Sequence, residues 1–278
     1  VSAQGRSHNV VGEIQSHRRT FALTGGATKA EDLCRALTER GLGGVRVSVG
    51  ERLSYPDERI VTGTAAELAQ ERFADLSVLL AEHDEPVLRP WNTPGLPDEA
   101  FLRGEVPMTK EEVRALALCK LRLQPWHTVW DVGAGTGSVS VECALACPEG
   151  RVYAIEKKEA ALDLLSENKA RFGCANLELV PGTAPEALKD LPAPDRVFLG
   201  GTSGDMEEIL AVIFEKNPQA RVVCTAVTLE TVGEAARLFA PLEGADMVQV
   251  AVTRTRRAGR YHLMDAQNPV WIFSGEGK

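Results

Sequence analysis

The stretch Thr128-Val129-Trp130-Asp131-Val132-Gly133-Ala134-Gly135-Thr136-Gly137-Ser138 decides the fold. Its first half is an apolar strand run, and its second is a glycine-rich turn opening onto a helix predicted over residues 138–146. The next predicted strand, 151–156, ends in the carboxylate of Glu156, about 20 residues past the last glycine. This order lets bare backbone approach a nucleoside at a helix N-terminus while the acid takes ribose hydroxyls. The spacing of Gly133, Gly135 and Gly137 is tighter than the dinucleotide fingerprint, whose last glycine comes one residue later. The plain alternative is a loop that closes an ordinary αβ unit.

Outward from the loop the alternation is regular. Strands are expected at 128–132, 151–156, 177–180, 196–199 and 220–226, with helices at 138–146, 159–172, 206–216 and 228–239. That pattern means a parallel sheet with right-handed crossovers. Residues 246–253 and 270–274 then give two strands with no helix between them, which requires one antiparallel member. The fold class expected is α/β, a Rossmann-like domain with a mostly parallel seven-stranded sheet, preceded by a smaller partial α/β segment.

That smaller segment, residues 1–84, holds expected strands at 21–24, 45–49 and 76–80 and helices at 29–40 and 65–70. Ser54-Tyr55-Pro56-Asp57 is turn chemistry. Pro86, Pro90, Pro94 and Pro97 exclude helix and central strand, so 85–97 is read as a linker and 98–278 as the main domain. A helix over 111–122 is expected to start at a capping box made by Thr109 and Glu112.

The chain has 278 residues, is 44% hydrophobic and 25% charged, and carries a net charge of −8. The composition is that of a globular protein, and the acidic balance disfavours nucleic acid as partner. It leaves room for a small polyanion held by a local arginine cluster. No apolar run reaches membrane-spanning length and no signal pattern opens the chain, so a cytoplasmic protein without membrane contact is expected. The six cysteines lack metal-ligand spacing and are read as reduced core residues; no metal is expected. The chain starts at Val1 and is read as a fragment or processed chain.

Four segments extend the reading from a fold to a family. Pro107-Met108-Thr109-Lys110 with Glu111 to Arg114, the glycine loop from Trp130 to Ser140, Arg151 to Glu156 and Phe198-Leu199-Gly200-Gly201 together resemble the decarboxylating precorrin methyltransferases of cobalamin biosynthesis. The resemblance covers about residues 96–275 and implies S-adenosyl-L-methionine (AdoMet) as cofactor. It also implies methylation of carbon 15 and loss of the ring C acetate carboxyl. Gly5-Arg6, Phe21 to Gly26, Val49 to Arg59 and Phe73 to Leu76 resemble the second half of a tetrapyrrole methylase domain. In the bifunctional enzymes that domain methylates carbon 5. Family members form homo-oligomers, often tetramers.

Resemblance and loop chemistry together assign the cofactor to Thr109, Gly133, Ala134, Gly135, Thr136, Gly137, Glu156, Ala184 and Gly200. The family's usual Asp after Gly182 is here Thr183. Arg254, Arg256, Arg257 and Arg260, four arginines in seven residues, are candidates for the substrate's carboxylates, with Arg103 a further one. Their plain alternative is a solvated hairpin or subunit contact. His262 is the candidate general acid, and Asn268-Pro269 is read as a strand start. Two other classes stay open: an RNA methyltransferase on the same fold, and a non-catalytic AdoMet-binding module.

Overall fold

The computed structural model describes residues 1–3, 10–87, 94–202 and 204–278. The expected features at Gly5-Arg6 and Pro90 lie outside the described residues. Two compact units emerge, one built mainly on residues 1–92 and one on 93–147, 151–169 and 177–278.

The first unit runs α1 (Val10–Ser16), β1 (Arg19–Thr24), α2 (Ala30–Glu39), β2 (Arg46–Glu51), β3 (Arg59–Thr64), α3 (Ala65–Leu68) and β4 (Ser77–Glu82). Its four strands form an antiparallel sheet in the order β1-β4-β2-β3. Along β1, Thr20, Ala22 and Thr24 point inward while Phe21 and Leu23 stay exposed, the alternation a sheet with one covered face requires. Neither α1 nor β3 was expected. The turn at 54–57 sends the chain back along β2, with Arg46 opposite Thr64, and a half-polar edge strand leaves little hydrophobic signal.

The second unit contains α4 (Glu111–Leu121), β5 (Thr128–Val132), α5 (Ser138–Ala146), β6 (Arg151–Glu156), α6 (Glu159–Arg171), β7 (Leu177–Pro181), β8 (Arg196–Leu199), α7 (Met206–Lys216), β9 (Arg221–Ala226), α8 (Leu229–Phe239), β10 (Glu243–Val250), β11 (Thr253–Ala258), β12 (Tyr261–Ala266) and β13 (Val270–Glu276). Seven strands pair in the order β10-β13-β9-β8-β5-β6-β7. The sheet is α/β, Rossmann-like and mostly parallel; β13 alone runs against both its neighbours. Trp130, Phe198, Phe239 and Phe273 are fully buried in its core, where aromatic side chains contribute large apolar areas. Among the described residues no helix is long and apolar enough to cross a membrane.

Two expectations need correction. The strand placed at 246–253 is β10, ending at Val250, and the polar stretch after it forms a separate hairpin, β11–β12, turned at Gly259 with φ +60°. Its strands are almost wholly exposed, so no period-2 burial marks them in the sequence. The capping box at α4 is absent. Lys110 is the N-cap residue, without a side-chain cap, and Asp98 Oδ1 accepts the Glu111 N–H at 3.0 Å instead. Glu112 is drawn away to Arg254.

Candidate active site

The parallel strands of the second unit end at one sheet edge, where α/β proteins hold their ligands. The antiparallel β13 starts at that same edge, since Trp271 pairs with Ala226 and Val270 with Val250. A cleft of about 650 Å³ opens there, a size suited to a cofactor-sized ligand.

Its floor is the glycine loop. Gly133 has φ +75°, and a Cβ there would lie 2.8 Å from the backbone N and O of Gly201, so only glycine lets the two loops touch. The N–H groups of Gly133 and Ala134 both donate to the Ile155 carbonyl, at 2.9 and 3.0 Å, and Gly200 N–H donates to the Val132 carbonyl at 2.9 Å. The ends of β5, β6 and β8 are thereby laced into one surface. Glu156 lies at its side, buried, with Oε2 accepting the Gly135 N–H at 2.9 Å and Oε1 accepting the N–H groups of Lys157 and Lys158, each at 2.9 Å.

Asp131, the last polar residue of β5, also borders the cleft. Its Oδ2 accepts a hydrogen bond from Ser140, and its Oδ1 has no hydrogen-bond partner among the described residues. Burial pushes its carboxyl up to about 7, against the lowering effect of the Ser140 hydrogen bond, with the Glu156 charge adding to the rise. A buried acceptor without a donor, beside a glycine cradle, calls for a ligand that brings one.

The opposite wall is the segment before α4, and a buried cation sets its path. Arg114 is fully buried; its Nε donates to Glu142 at 2.6 Å and its Nη1 reaches Asp98 at 3.4 Å. Its remaining donors go to the carbonyls of Thr109 and Leu96, and the guanidinium lies 4.8 Å above the Phe101 ring. Glu142 is in turn satisfied by the N–H groups of Gly95 and Leu96, at 2.7 and 3.1 Å. Asn168 fastens the same segment to the glycine loop, bonding both Leu102 backbone groups at 2.8 Å and the Thr136 carbonyl at 2.9 Å.

The family can be tested directly at this point. Residues 99–276 match the precorrin methyltransferase domain family. The chain belongs to that family. It is 47% identical over 190 residues to a probable cobalt-precorrin-6B C(15)-methyltransferase (decarboxylating) of Pyrobaculum calidifontis, a match covering 66% of this chain and 97% of the relative. Among solved structures, a precorrin-6Y C5,15-methyltransferase from Geobacter metallireducens is similar at 36% identity and TM-score 0.62, over 70% of this chain and 100% of that one. The C-terminal domain of precorrin-6Y C5,15-methyltransferase from Rhodobacter capsulatus is similar at 34% identity and TM-score 0.62, over 67% and 99%.

In this precorrin methyltransferase domain, Thr109, Gly133, Ala134, Gly135, Glu156, Ala184 and Gly200 all line the cleft. Thr136 and Gly137 do not; the Thr136 side chain is buried beneath the loop and Gly137 caps α5 in the left-handed conformation. Arg103, Arg254, Arg256, Arg257, Arg260 and His262 lie outside the cleft lining. Arg254 is engaged with Glu112, Arg257 with the Gly259 carbonyl, and Arg260 with Tyr261. His262 is exposed on β12 opposite Arg257. Sequence reasoning passed over Asp131, Lys110, Thr202, Thr225, Gln267 and Asn268 as lining residues. Asp131 carried a signal, the only acid in the strand before the loop. Lys110 stood in the Pro107–Lys110 motif and Asn268 in the Asn268-Pro269 strand start; Thr202, Thr225 and Gln267 carried no signal, because they reach the cleft from three separate elements.

Proposed function

We propose that this chain is an AdoMet-dependent C-methyltransferase that methylates carbon 15 of a precorrin and releases the ring C acetate carboxyl as CO2, in cobalamin biosynthesis. The observation that carries this is the Gly133–Glu156–Asp131 cradle at the strand ends of a chain in the precorrin methyltransferase domain family. The cradle suits the cofactor: glycine backbone admits close approach, the Glu156 carboxylate suits a pair of ribose hydroxyls, and Asp131 Oδ1 suits an ammonium group. The cofactor supplies an electrophilic methyl group. Thr109, Gly133, Ala134, Gly135, Ala184 and Gly200 hold it by backbone and short side chains, with Thr136 and Gly137 shaping the loop from below. The protein's part in methyl transfer is proximity and orientation, which are worth several kcal/mol when the reacting carbon is held in line.

The exposed Arg256, Arg257 and Arg260 extend from a hairpin whose base, at Val252 and Gln267, borders the cleft. Their proposed task is to meet peripheral carboxylates of the macrocycle. The first unit is proposed as the second half of a tetrapyrrole methylase domain, on the segments quoted from Phe21 to Leu76, and the assembly as a homo-oligomer.

The deciding experiment is an anaerobic incubation with AdoMet and a precorrin already methylated at carbon 5, read by mass spectrometry. Gain of one methyl with loss of CO2 is expected. No change despite measured cofactor binding sinks the assignment of substrate.

A further inference from the structure

The cleft lining also carries polar side chains that the cofactor cradle does not use. Gln267 and Asn268, which lead into β13, line the cleft, as do Thr202 and Thr225. The Gln267 N–H donates to the Val252 carbonyl at 2.9 Å and closes the base of the β11–β12 hairpin, so the two amide side chains issue from a fixed point. Neither side chain has a hydrogen-bond partner among the described residues. Every one of these four polar groups is neutral. Among the cations that line the cleft, Lys110 has its ammonium 3.8 Å from the Asp98 carboxylate, and Lys157 and Lys158 directly follow Glu156 in the chain.

We propose that Gln267 and Asn268 seat the acetate carboxylate that leaves, and that their neutrality is what permits its departure. The proposal rests on the methyltransferase and decarboxylase reading above. Loss of CO2 breaks the bond between the acetate methylene and its carboxyl carbon. The electron pair of that bond passes into the conjugated ring, and a solvent proton then adds to the methylene carbon, leaving a methyl group. Negative charge therefore drains from the carboxyl oxygens as the bond breaks. A cation clamped on those oxygens would hold the starting carboxylate more tightly than the transition state and raise the barrier. Amide N–H donors orient the group with a weaker, uncharged hold.

The test compares wild type with Asn268→Lys, Asn268→Ser and Lys110→Ala on the same carbon 5-methylated precorrin, scoring methylation and CO2 loss separately. S-adenosylhomocysteine binding serves as the control for folding, which Asn268 on an exposed position should not disturb. The expected result is a fall of about tenfold or more in the ratio of decarboxylation to methylation for Asn268→Lys, with Asn268→Ser nearer wild type. An unchanged ratio in Asn268→Lys overturns the proposal. So does a ratio that collapses in Lys110→Ala but not in the Asn268 variants, which would seat the carboxylate on Lys110. If wild type itself neither methylates nor decarboxylates, the functional reading falls and this inference with it; if wild type does both, the failure belongs to the inference alone.

Discussion

Arg254 grips Glu112 across 142 residues of chain, its Nε donating to Oε1 at 2.9 Å and its Nη2 to Oε2 at 2.7 Å. The pair fastens the first strand of the β11–β12 hairpin to the first turn of α4. The cleft wall at Thr109 and Lys110 and the hairpin base at Val252 and Gln267 are thereby held to one another. An isolated two-stranded hairpin is marginal in water, so such a tether matters more for its placement than for global stability.

Both partners are about one-third or more exposed, so Arg254→Ala and Glu112→Ala should each cost no more than about 1 kcal/mol by urea unfolding at neutral pH. The double variant should cost less than the sum of the two single ones, because both break the Arg254–Glu112 pair, while Arg254→Ala alone also removes the 3.4 Å contact with Asp98. The Arg254 hydrogen bond holds the Glu112 carboxyl below its ordinary value of 4.5. A depressed acid stabilises the fold above its unfolded pKa and loses that contribution as pH falls. The gap between wild type and variants should therefore close below about pH 4.5. A gap that persists there would mean the pair acts through packing.

Arg114 should behave differently, because it is buried. Arg114→Ala takes from the buried Glu142 side chain its ion-pair partner, while Asp98 keeps Lys110 and Arg254, and should cost about 3–5 kcal/mol. Arg114→Lys should recover only part of this, since one ammonium cannot replace a guanidinium that meets two carboxylates and two carbonyls. Thermal melts of the three proteins decide it, and a loss under about 1 kcal/mol in Arg114→Ala would contradict the burial argument.

Glu156→Gln should weaken S-adenosylhomocysteine binding by about 1.5–3 kcal/mol, the value of hydrogen bonds to a charged acceptor. The substitution also hands an amide donor to the Gly135, Lys157 and Lys158 N–H groups that Glu156 now accepts. Isothermal titration that found equal affinities would show that the ribose contact is made elsewhere.

Cofactor affinity should depend on pH through Asp131. Burial raises this acid to about 7, so below that pH the group is neutral and offers little to an ammonium. Affinity for S-adenosylhomocysteine should rise as pH passes upward through about 7, and Asp131→Asn should flatten the profile. The same shift has a stability sign. A raised acid favours the fold below its unfolded pKa and loses that advantage as pH climbs to the folded value. Wild type without ligand should thus lose ground to Asp131→Asn between about pH 4 and 7.

Much of the second unit was legible. Strands β5, β6 and β8 and helices α5 and α7 have the bounds that hydrophobic periodicity and glycine punctuation predict. These are buried segments whose local pattern and tertiary environment agree. The polar hairpin and β3 were not legible, because exposed strands carry no alternation for burial to impose. The capping box at Thr109 failed for a related reason: two distant groups, Asp98 and Arg254, outcompeted the local pairing for the Glu111 N–H and the Glu112 carboxylate.

The sequence by itself determined the cradle, since a strand, a Gly133–Gly135–Gly137 turn, a helix and a carboxylate at Glu156 are set within one βαβ unit by local chemistry. It also determined the family, through motifs whose register a linear chain preserves. Only the tertiary structure decided which residues face the cradle. The antiparallel course of β13 brings Gln267 and Asn268 to the edge where the parallel strands end, while the hairpin carries Arg256, Arg257 and Arg260 out of the lining. Long-range strand pairing fixes those positions, β13 with β10 on one side and β9 on the other, a property that no local stretch encodes.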